Sequence, residues 1–541
     1  MQHMSRTQPI MGAQFKQNPA RNVKLLEVCP CRSHCGIVND PLLEGCASHM
    51  PMTLPSATPF LHGPPTPLVV ELPCLSRSPF ELYSKIASTR RPSFLFESGN
   101  GRATTGRYSF FASDPYQVLS GKDAFCVRQT PHNQERYDQS PFPCLAGLFD
   151  NSYIARPRDV PPFFGGAVGY FSYDLVRQFE TLPSRGLDDL AIPDLEFAFF
   201  DVVAAIDHEL GRLVLMFCPP LERFLAEPRE KLFREGRDRL AELEARLASA
   251  HAVGGKQQTL GPLTFSPDQH QSAYMERVRR CQDYIAAGDI YQANLSHRFS
   301  VTCESFAPRC ELHTDLLAYA RVRALNPSPF SGLLRFDQTS LISSSPERLI
   351  RLEGRRADTR PIAGTRPRGR DPVDDRRLAE ELHGSEKERA EHVMLVDLER
   401  NDLGRVCDFG SVRVDELMTL ERYSHVNHLV SHVAGTLRGD ASGFDLLRAV
   451  FPGGTITGVP KIRCMEIIEE LEPVRRGPYT GSMGYLSWSG DLDFNILIRT
   501  LVMRNGKGYL QVGAGIVADS EPTREYEETI HKAQAFLSAF S

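Results

Sequence analysis

Two pairs of carboxylates toward the C-terminal end have the spacing to share one hard cation. They are Glu388 with Glu391, in Lys387-Glu388-Arg389-Ala390-Glu391-His392, and Glu525 with Glu528, in Glu525-Tyr526-Glu527-Glu528-Thr529-Ile530-His531-Lys532. A separation of three residues puts both members of a pair on one helix face. Mg²⁺ takes one or two carboxylates directly and keeps waters or substrate oxygens in its other positions. The expected arrangement is therefore Glu391 and Glu528 as ligands, with Glu388 and Glu525 supporting them. A solvated helix face has the same spacing, so the pairs gain meaning only from the rest of the chain. Glu347 is a further candidate, because it follows Ser343-Ser344-Ser345-Pro346 directly after an apolar strand pattern. A carboxylate at a strand end beside a proline-fixed turn is placed for general-acid work, although a turn glutamate is more often merely solvated.

The elements that must position these groups follow from periodicity. Between Pro67 and Pro220 the chain is rich in short β-type runs, such as Ser93 to Ser98 and Leu213 to Phe217. Gly165-Gly166-Ala167-Val168-Gly169-Tyr170 lies among them, its glycines suited to close backbone packing. Residues 221–250 switch to helical spacing, with Leu225, Leu232, Leu240, Leu243 and Leu247 forming an apolar face. Gly254-Gly255-Lys256-Gln257-Gln258 reads as a linker. A second helix is expected from Ser266-Pro267, an N-cap followed by a first-turn proline, to a stop at Gly288. Asp289 to Ser296 then alternates as a strand.

At 541 residues the chain has room for two or more ordinary domains, or for one large interwoven one. We divide it into residues 1–65, a poorly structured leader or extension; 66–255, an N-terminal region; and 256–541, a catalytic region. The leader has no apolar core of a secretory signal, and is either an extension ahead of a start at Met50 or Met52 or an organellar presequence. A formal charge of -5, from 62 basic and 67 acidic residues, gives no surplus for a polyanion, so nucleic acid is not an expected partner. No uncharged apolar run reaches the roughly 18 residues a membrane helix needs. The run from Leu195 to Ile206 is interrupted by Glu196 and Asp201. Thirteen scattered cysteines suit a reducing compartment. A soluble cytoplasmic protein with no membrane partner is expected. Cys29, Cys31, Cys35 and Cys46 cluster, but their spacing matches no common zinc pattern.

A family resemblance emerges from the longer motifs. They are Asp358-Thr359-Arg360-Pro361-Ile362-Ala363-Gly364-Thr365-Arg366, Glu391 to Arg405, Phe451-Pro452-Gly453-Gly454-Thr455-Ile456-Thr457-Gly458-Val459-Pro460-Lys461, and Gly513-Ala514-Gly515-Ile516-Val517-Ala518-Asp519-Ser520. Residues 268 to 537 resemble the chorismate-binding enzymes, which include the component I subunits of anthranilate synthase and aminodeoxychorismate synthase and the isochorismate and salicylate synthases. With Phe96-Glu97-Ser98 and Gly169-Tyr170, the resemblance extends over roughly residues 68 to 541. It implies an α+β fold in which two large antiparallel sheets pack together with helices outside.

The resemblance also implies roles. Glu347 matches the general acid, and His428 a histidine near the departing group. Thr455 and Thr365 match polar residues lining the ring. Arg499, Tyr479, Lys532 and the Gly513-Ala514-Gly515 backbone match substrate-binding positions, and Glu391 and Glu528 match Mg²⁺ ligands. Arg499, on a strand-like run from Asn495 to Thr500, has the fork for a bidentate carboxylate clamp. Gln292 occupies the place where enzymes that add water carry a lysine base. A neutral amide cannot take a proton from water, which argues for amination.

Two aminating activities compete. Ala363 stands where aminodeoxychorismate synthases typically hold a lysine nucleophile, and Ala514 and Gly477-Pro478-Tyr479 also lean toward anthranilate synthase. Gly288 to Ser296 and Leu398 to Leu403 resemble aminodeoxychorismate synthases, whereas Asp491 to Ile496 departs from an Asp-Thr pairing common to both. The expectation is an aminodeoxychorismate synthase component I, with anthranilate synthase component I and a catalytically silent regulatory homologue as alternatives. No cysteine has a glutaminase context, so ammonia is expected from a separate glutamine amidotransferase subunit. Phe96-Glu97-Ser98 resembles the element with which anthranilate synthases hold tryptophan, leaving open whether an amino acid binds there.

Overall fold

Alternation along the paired strands Gln292–Thr302 and Lys507–Ile516 separates a polar face from an apolar one. Ala293, Leu295, Ala514 and Ile516 join Tyr274, Val278, Cys464 and Ile467 of two covering helices in a small core. The intervening Gln292, Asn294, Gly513 and Gly515 are left to the opposite face, as the two-residue period of a strand requires. The computed structural model describes residues 57–73, 77–87, 91–98, 106–249, 260–302, 313–423 and 426–541.

Among these residues there are two antiparallel sheets of twelve strands each. In the first, Leu68–Pro73, Arg212–Phe217, Val202–Asp207, Tyr108–Ser113, Ser93–Glu97, Phe330–Arg335, Thr339–Ser345, Thr500–Arg504, Lys507–Ile516, Gln292–Thr302 and Ser266–Pro267 lie in that order. Gly458–Val459 pairs beside them with the start of Gln292–Thr302. The second runs Ile362–Pro367, Val426–Thr436, Arg356–Arg360, Arg348–Glu353, Leu492–Ile496, Ser482–Ser487, Gly166–Phe171, Leu195–Phe200, Gln117–Lys122, Phe125–Gln129 and Gln134–Tyr137, with Arg413–Arg422 also on Val426–Thr436. This is the α+β architecture expected. Each sheet takes strands from both sides of residues 250–259.

The apolar faces of the sheets meet in one large core. Phe110 of the first sheet lies edge-on to Tyr485 of the second, ring centres 5.6 Å apart. A Cβ at Gly332 would stand 2.7 Å from Met483 Cε, so glycine lets the sheets close there. Within the second sheet, Gly169 lets its strand lie close to the neighbouring Leu195–Phe200, since a Cβ there would be 2.1 Å from the Glu196 carbonyl oxygen.

Two chain segments pass side by side from one sheet to the other. Pro346 and Glu347 join Thr339–Ser345 of the first sheet to Arg348–Glu353 of the second, and Leu497 to Arg499 join Leu492–Ile496 of the second to Thr500–Arg504 of the first. The crossings are bonded together: Ile496 N donates to the Glu347 carbonyl at 3.0 Å, and Ser344 N to the Arg499 carbonyl at 3.1 Å.

Several local expectations are corrected. Arg499 is not on a strand but in this crossing, with φ at 50°. The helix expected over residues 221–250 is two helices, Leu221–Ala226 and Arg229–Ala248. Pro228 drives the preceding Glu227 into extended backbone at φ -115° and ψ 147°. Leu225 is accordingly exposed and Phe224 buried in its place. Ser266 and Pro267 do not begin a helix but pair as an edge strand with Ser300 and Phe299, and the helix starts at Gln271. Within the expected leader, Ala57–His62 is helical, with Phe60 buried against Phe224 and Phe233. The cysteines at 29, 31, 35 and 46 lie outside the described residues.

Candidate active site

The polar face of the Gln292–Thr302 and Lys507–Ile516 pair forms a floor. A Cβ at Gly515 would lie 2.6 Å from Gln292 Nε2. One at Gly513 would lie 2.2 Å from Asn294 Oδ1 and 2.7 Å from the Tyr479 hydroxyl. Glycine at both positions therefore makes room for the Asn294 and Gln292 amides and the Tyr479 hydroxyl to lie directly on the strand. Gln292 Oε1 and Asn294 Oδ1 are buried without a hydrogen-bond partner, acceptors left for a ligand. Lys532 Nζ donates to the Gly513 carbonyl at 2.9 Å and pairs with Glu528 at 2.7 Å. Ala514 turns the other way, into the helix-covered core.

Above this floor are the sheet crossings. Glu347 is buried, and its Oε1 accepts the Ile362 amide at 3.3 Å. Burial pushes its carboxyl up to about 7, against the opposing pull of the Ile362 amide, Thr455 and Arg499. Glu347 is thus substantially protonated at neutral pH, as a general acid must be. Thr455 stands in the one-turn helix Gly454–Ile456, its hydroxyl buried and without a hydrogen-bond partner. Burial lowers the pKa of Arg499, while Glu347 supports its charge. Its left-handed backbone is the kind of strain that surrounding structure maintains at a working site.

His428 lies on Val426–Thr436 opposite Thr365, and its Nδ1 is 2.8 Å from the Thr365 hydroxyl. Burial, then the charge of Arg499, lower it to about 3 against the pull of Gly364, so it works as a neutral imidazole. Its Nε2 is buried and makes no hydrogen bond. Between Ala363 and Thr365 the pairing slips by one residue at Gly364, whose φ is 77°. A Cβ on that glycine would stand 2.8 Å from Glu388 Oε2. Ala363 itself is buried.

The two acidic helices come from opposite sheets. Helix Glu386–Gly404, capped by the Ser385 side chain, packs on Ile362–Pro367 and Val426–Thr436; helix Pro522–Leu537 packs on Lys507–Ile516. Lys387 of one reaches Asp519, just ahead of the other, at 3.6 Å. Burial raises Glu391, with Glu388, Asp519 and Glu528 adding repulsion against the pull of Lys387. Burial and Glu528 likewise raise Glu525. Glu388 is engaged by Arg366 at 3.1 Å. Among the described residues no three acidic, histidine or cysteine side chains gather closely enough to enclose a metal alone. The mutual repulsion of Glu391, Glu388, Asp519 and Glu528 suits a cation such as Mg²⁺, which would take one or two carboxylates directly and the rest of its oxygens from solvent and substrate.

Residues 91–538 match the family described as chorismate binding enzyme. The chain belongs to the chorismate-binding enzyme family. The anthranilate synthase component 1 of Thermus thermophilus is 46% identical over 468 residues, covering 85% of this chain and 95% of that one. The aminodeoxychorismate synthase component 1 of Bacillus subtilis strain 168 is 40% identical over 476 residues, covering 87% and 96%. The crystal structure of anthranilate synthase component I from Streptococcus pneumoniae TIGR4 superposes with a TM-score of 0.70 at 31% identity, over 86% of this chain and 99% of that one. The protein is thus a chorismate-utilising enzyme of the anthranilate and aminodeoxychorismate synthase kind. No helix among the described residues is long and apolar enough to cross a membrane.

The candidate site also includes residues to which the sequence patterns assign no role. Arg476 pairs with Glu472 at 2.7 Å, both buried, and donates to the carbonyls of Asn294 at 2.6 Å and Ile456 at 3.0 Å. It ties the floor to the turn carrying Thr455. Their four-residue spacing was the available signal. Asn294 stood inside a motif but not as a site residue. Glu399 is buried near Glu347, and burial and Asp402 raise its pKa. A separate cavity of about 500 Å³ is bordered by Phe96, Glu97, Ser98, Arg107, Met483 and Asn495. Glu97 is held there by Tyr319 at 2.7 Å and Arg323 at 2.8 Å.

Proposed function

We propose that the protein is the component I subunit of an aminodeoxychorismate synthase, converting chorismate and ammonia to 4-amino-4-deoxychorismate and water. Ammonia comes from a separate glutamine amidotransferase subunit. The observation that carries this reading is the second amide in the site. Asn294 stands with Gln292 on one strand face, both oxygens buried and unpartnered, within the segment that resembles aminodeoxychorismate synthases.

Arg499 can hold one substrate carboxylate in its fork, and the Tyr479 hydroxyl, seated close over Gly513, can donate to the same ligand. The amide oxygens of Gln292 and Asn294 can accept N–H from ammonia and orient its lone pair, while remaining unable to activate water as a base. Nitrogen forms a bond to C4 as the C4–O bond breaks. Glu347 gives its proton to the departing hydroxyl, which leaves as water, and its carboxylate can then take a proton from the new ammonium group. His428, neutral and fixed by Thr365, lines the ring. Glu391 and Glu528 are the residues to hold Mg²⁺, which when bound supplies positive charge to the ring carboxylate.

Ala363 favours a second reading, anthranilate synthase component I, since a buried methyl group offers no nucleophile. Incubation with chorismate, ammonium and Mg²⁺ separates the two. The first reading requires chorismate loss with no pyruvate until a lyase is added; immediate stoichiometric pyruvate supports the second. No chorismate consumption would instead mark a catalytically silent homologue.

A further inference from the structure

At the opposite end of the second sheet from His428, two thiols are pressed together. Cys126 is buried in strand Phe125–Gln129, and Cys144 is partly exposed in helix Pro141–Gly147. Their sulfur atoms are 2.7 Å apart, inside the packing distance of two sulfurs. We propose that Cys126 and Cys144 form a reversible disulfide that fastens the edge hairpin of this sheet to the neighbouring helix. A disulfide bond of about 2.05 Å would need a few tenths of an ångström of movement by each side chain.

The backbone around the pair is built for this approach. Gly121 lies opposite Cys126 in the adjoining strand. A Cβ there would be 2.5 Å from Pro141 Cβ and 3.2 Å from Cys126 Cβ, so glycine lets the helix settle directly on the cysteine. The helix is pinned by Phe142, whose ring meets Phe179 at 4.8 Å and whose amide donates to Gln178 Oε1 at 3.0 Å.

The oxidant is a small-molecule disulfide such as glutathione disulfide. Cys144, on the accessible side, attacks it as thiolate, forming a mixed disulfide and releasing one thiolate. Cys126 then loses its proton and attacks the Cys144 sulfur, expelling the second thiol. Two protein thiols are oxidised and one external disulfide is reduced to two thiols. Burial and its contact with Cys144 push the Cys126 thiol up to about 12, so the exchange opens at Cys144 and not at Cys126. The link encloses strand Gln134–Tyr137, the sheet's outermost strand, and restrains an edge otherwise open to fraying.

The test is to equilibrate the full-length protein with glutathione disulfide, block free thiols with N-ethylmaleimide, digest and map peptides by mass. A cross-linked pair containing Cys126 and Cys144, two hydrogens lighter than the separate thiols and split by dithiothreitol, is expected. It should be absent from Cys126→Ser and Cys144→Ser. Cys144 of the Cys126→Ser variant should keep a glutathione. Amide exchange across Phe125 to Tyr137 should slow several-fold in the oxidised protein, with chorismate consumption unchanged. Maleimide on both thiols, or glutathione on Cys144 of the unaltered protein without a cross-link, would overturn the proposal.

Discussion

Arg476 donates to the main-chain carbonyl of Asn294 at 2.6 Å from beneath the ring of Tyr479, its guanidinium carbon 5.6 Å from the ring centre. One buried cation thereby sets the height of the floor strand and the tilt of an aromatic wall. Its charge is balanced by Glu472, which also accepts the Ser296 amide at 2.8 Å.

Arg476→Leu leaves Glu472 buried without its partner, a loss of about 3–5 kcal/mol for such pairs. Arg476→Lys keeps the charge but not the fork, and should retain more stability than activity. Thermal melts alongside chorismate turnover check this. Equal loss of both in the lysine variant would count against a positioning role.

Glu347 should make activity fall as pH rises through about 7, because the protonated form is the donor. Glu347→Gln should remove that limb and lower kcat by roughly 10²–10⁴. Stability should move oppositely. A carboxyl whose folded pKa is raised costs nothing below its unfolded value of 4.5 and costs fully above about 7. Glu347→Gln should therefore melt later at pH 8, by roughly 3 kcal/mol, with little change at pH 4. A variant no more stable at pH 8 would refute the raised pKa.

Gly513→Ala and Gly515→Ala place methyl groups against Asn294, Tyr479 and Gln292. Neither glycine has a positive φ, so both variants should fold, losing about 1–3 kcal/mol from overpacking. KM for chorismate should rise in both. Unchanged KM would place the substrate elsewhere.

Much of this site was legible because strand alternation needs only local order. Gln292 and the Gly513-Ala514-Gly515 run emerge on the faces that a two-residue period assigns them. The sheet crossing at Arg499 was not legible, since an apolar run gives no sign of which sheet its ends join. The same blindness hid the edge pairing of Ser266 and Pro267, where a local helix-start signal yields to a strand partner some thirty residues away. The role of Arg476 has no local sequence signal beyond its spacing from Glu472, because it lies in reaching two backbone segments distant in sequence.

Glu391→Gln and Glu528→Gln should each raise the Mg²⁺ concentration needed for half-maximal activity by tenfold or more, a factor expected when a direct metal contact is weakened. Circular dichroism should be unchanged, since both side chains are partly exposed or exposed. Near-normal activity of both variants at low Mg²⁺ would remove these residues from the metal site.

The most direct measurement is the position of nitrogen in the product. With ¹⁵N-ammonium, chorismate and Mg²⁺, the protein should yield a product carrying ¹⁵N on C4 and retaining the vinyl protons of the enolpyruvyl group. Intact mass should show no adduct on the enzyme during turnover, because Ala363 has no lone pair to offer. Fluorescent anthranilate with ¹⁵N on C2 and equimolar pyruvate would contradict the assignment and make the protein an anthranilate synthase.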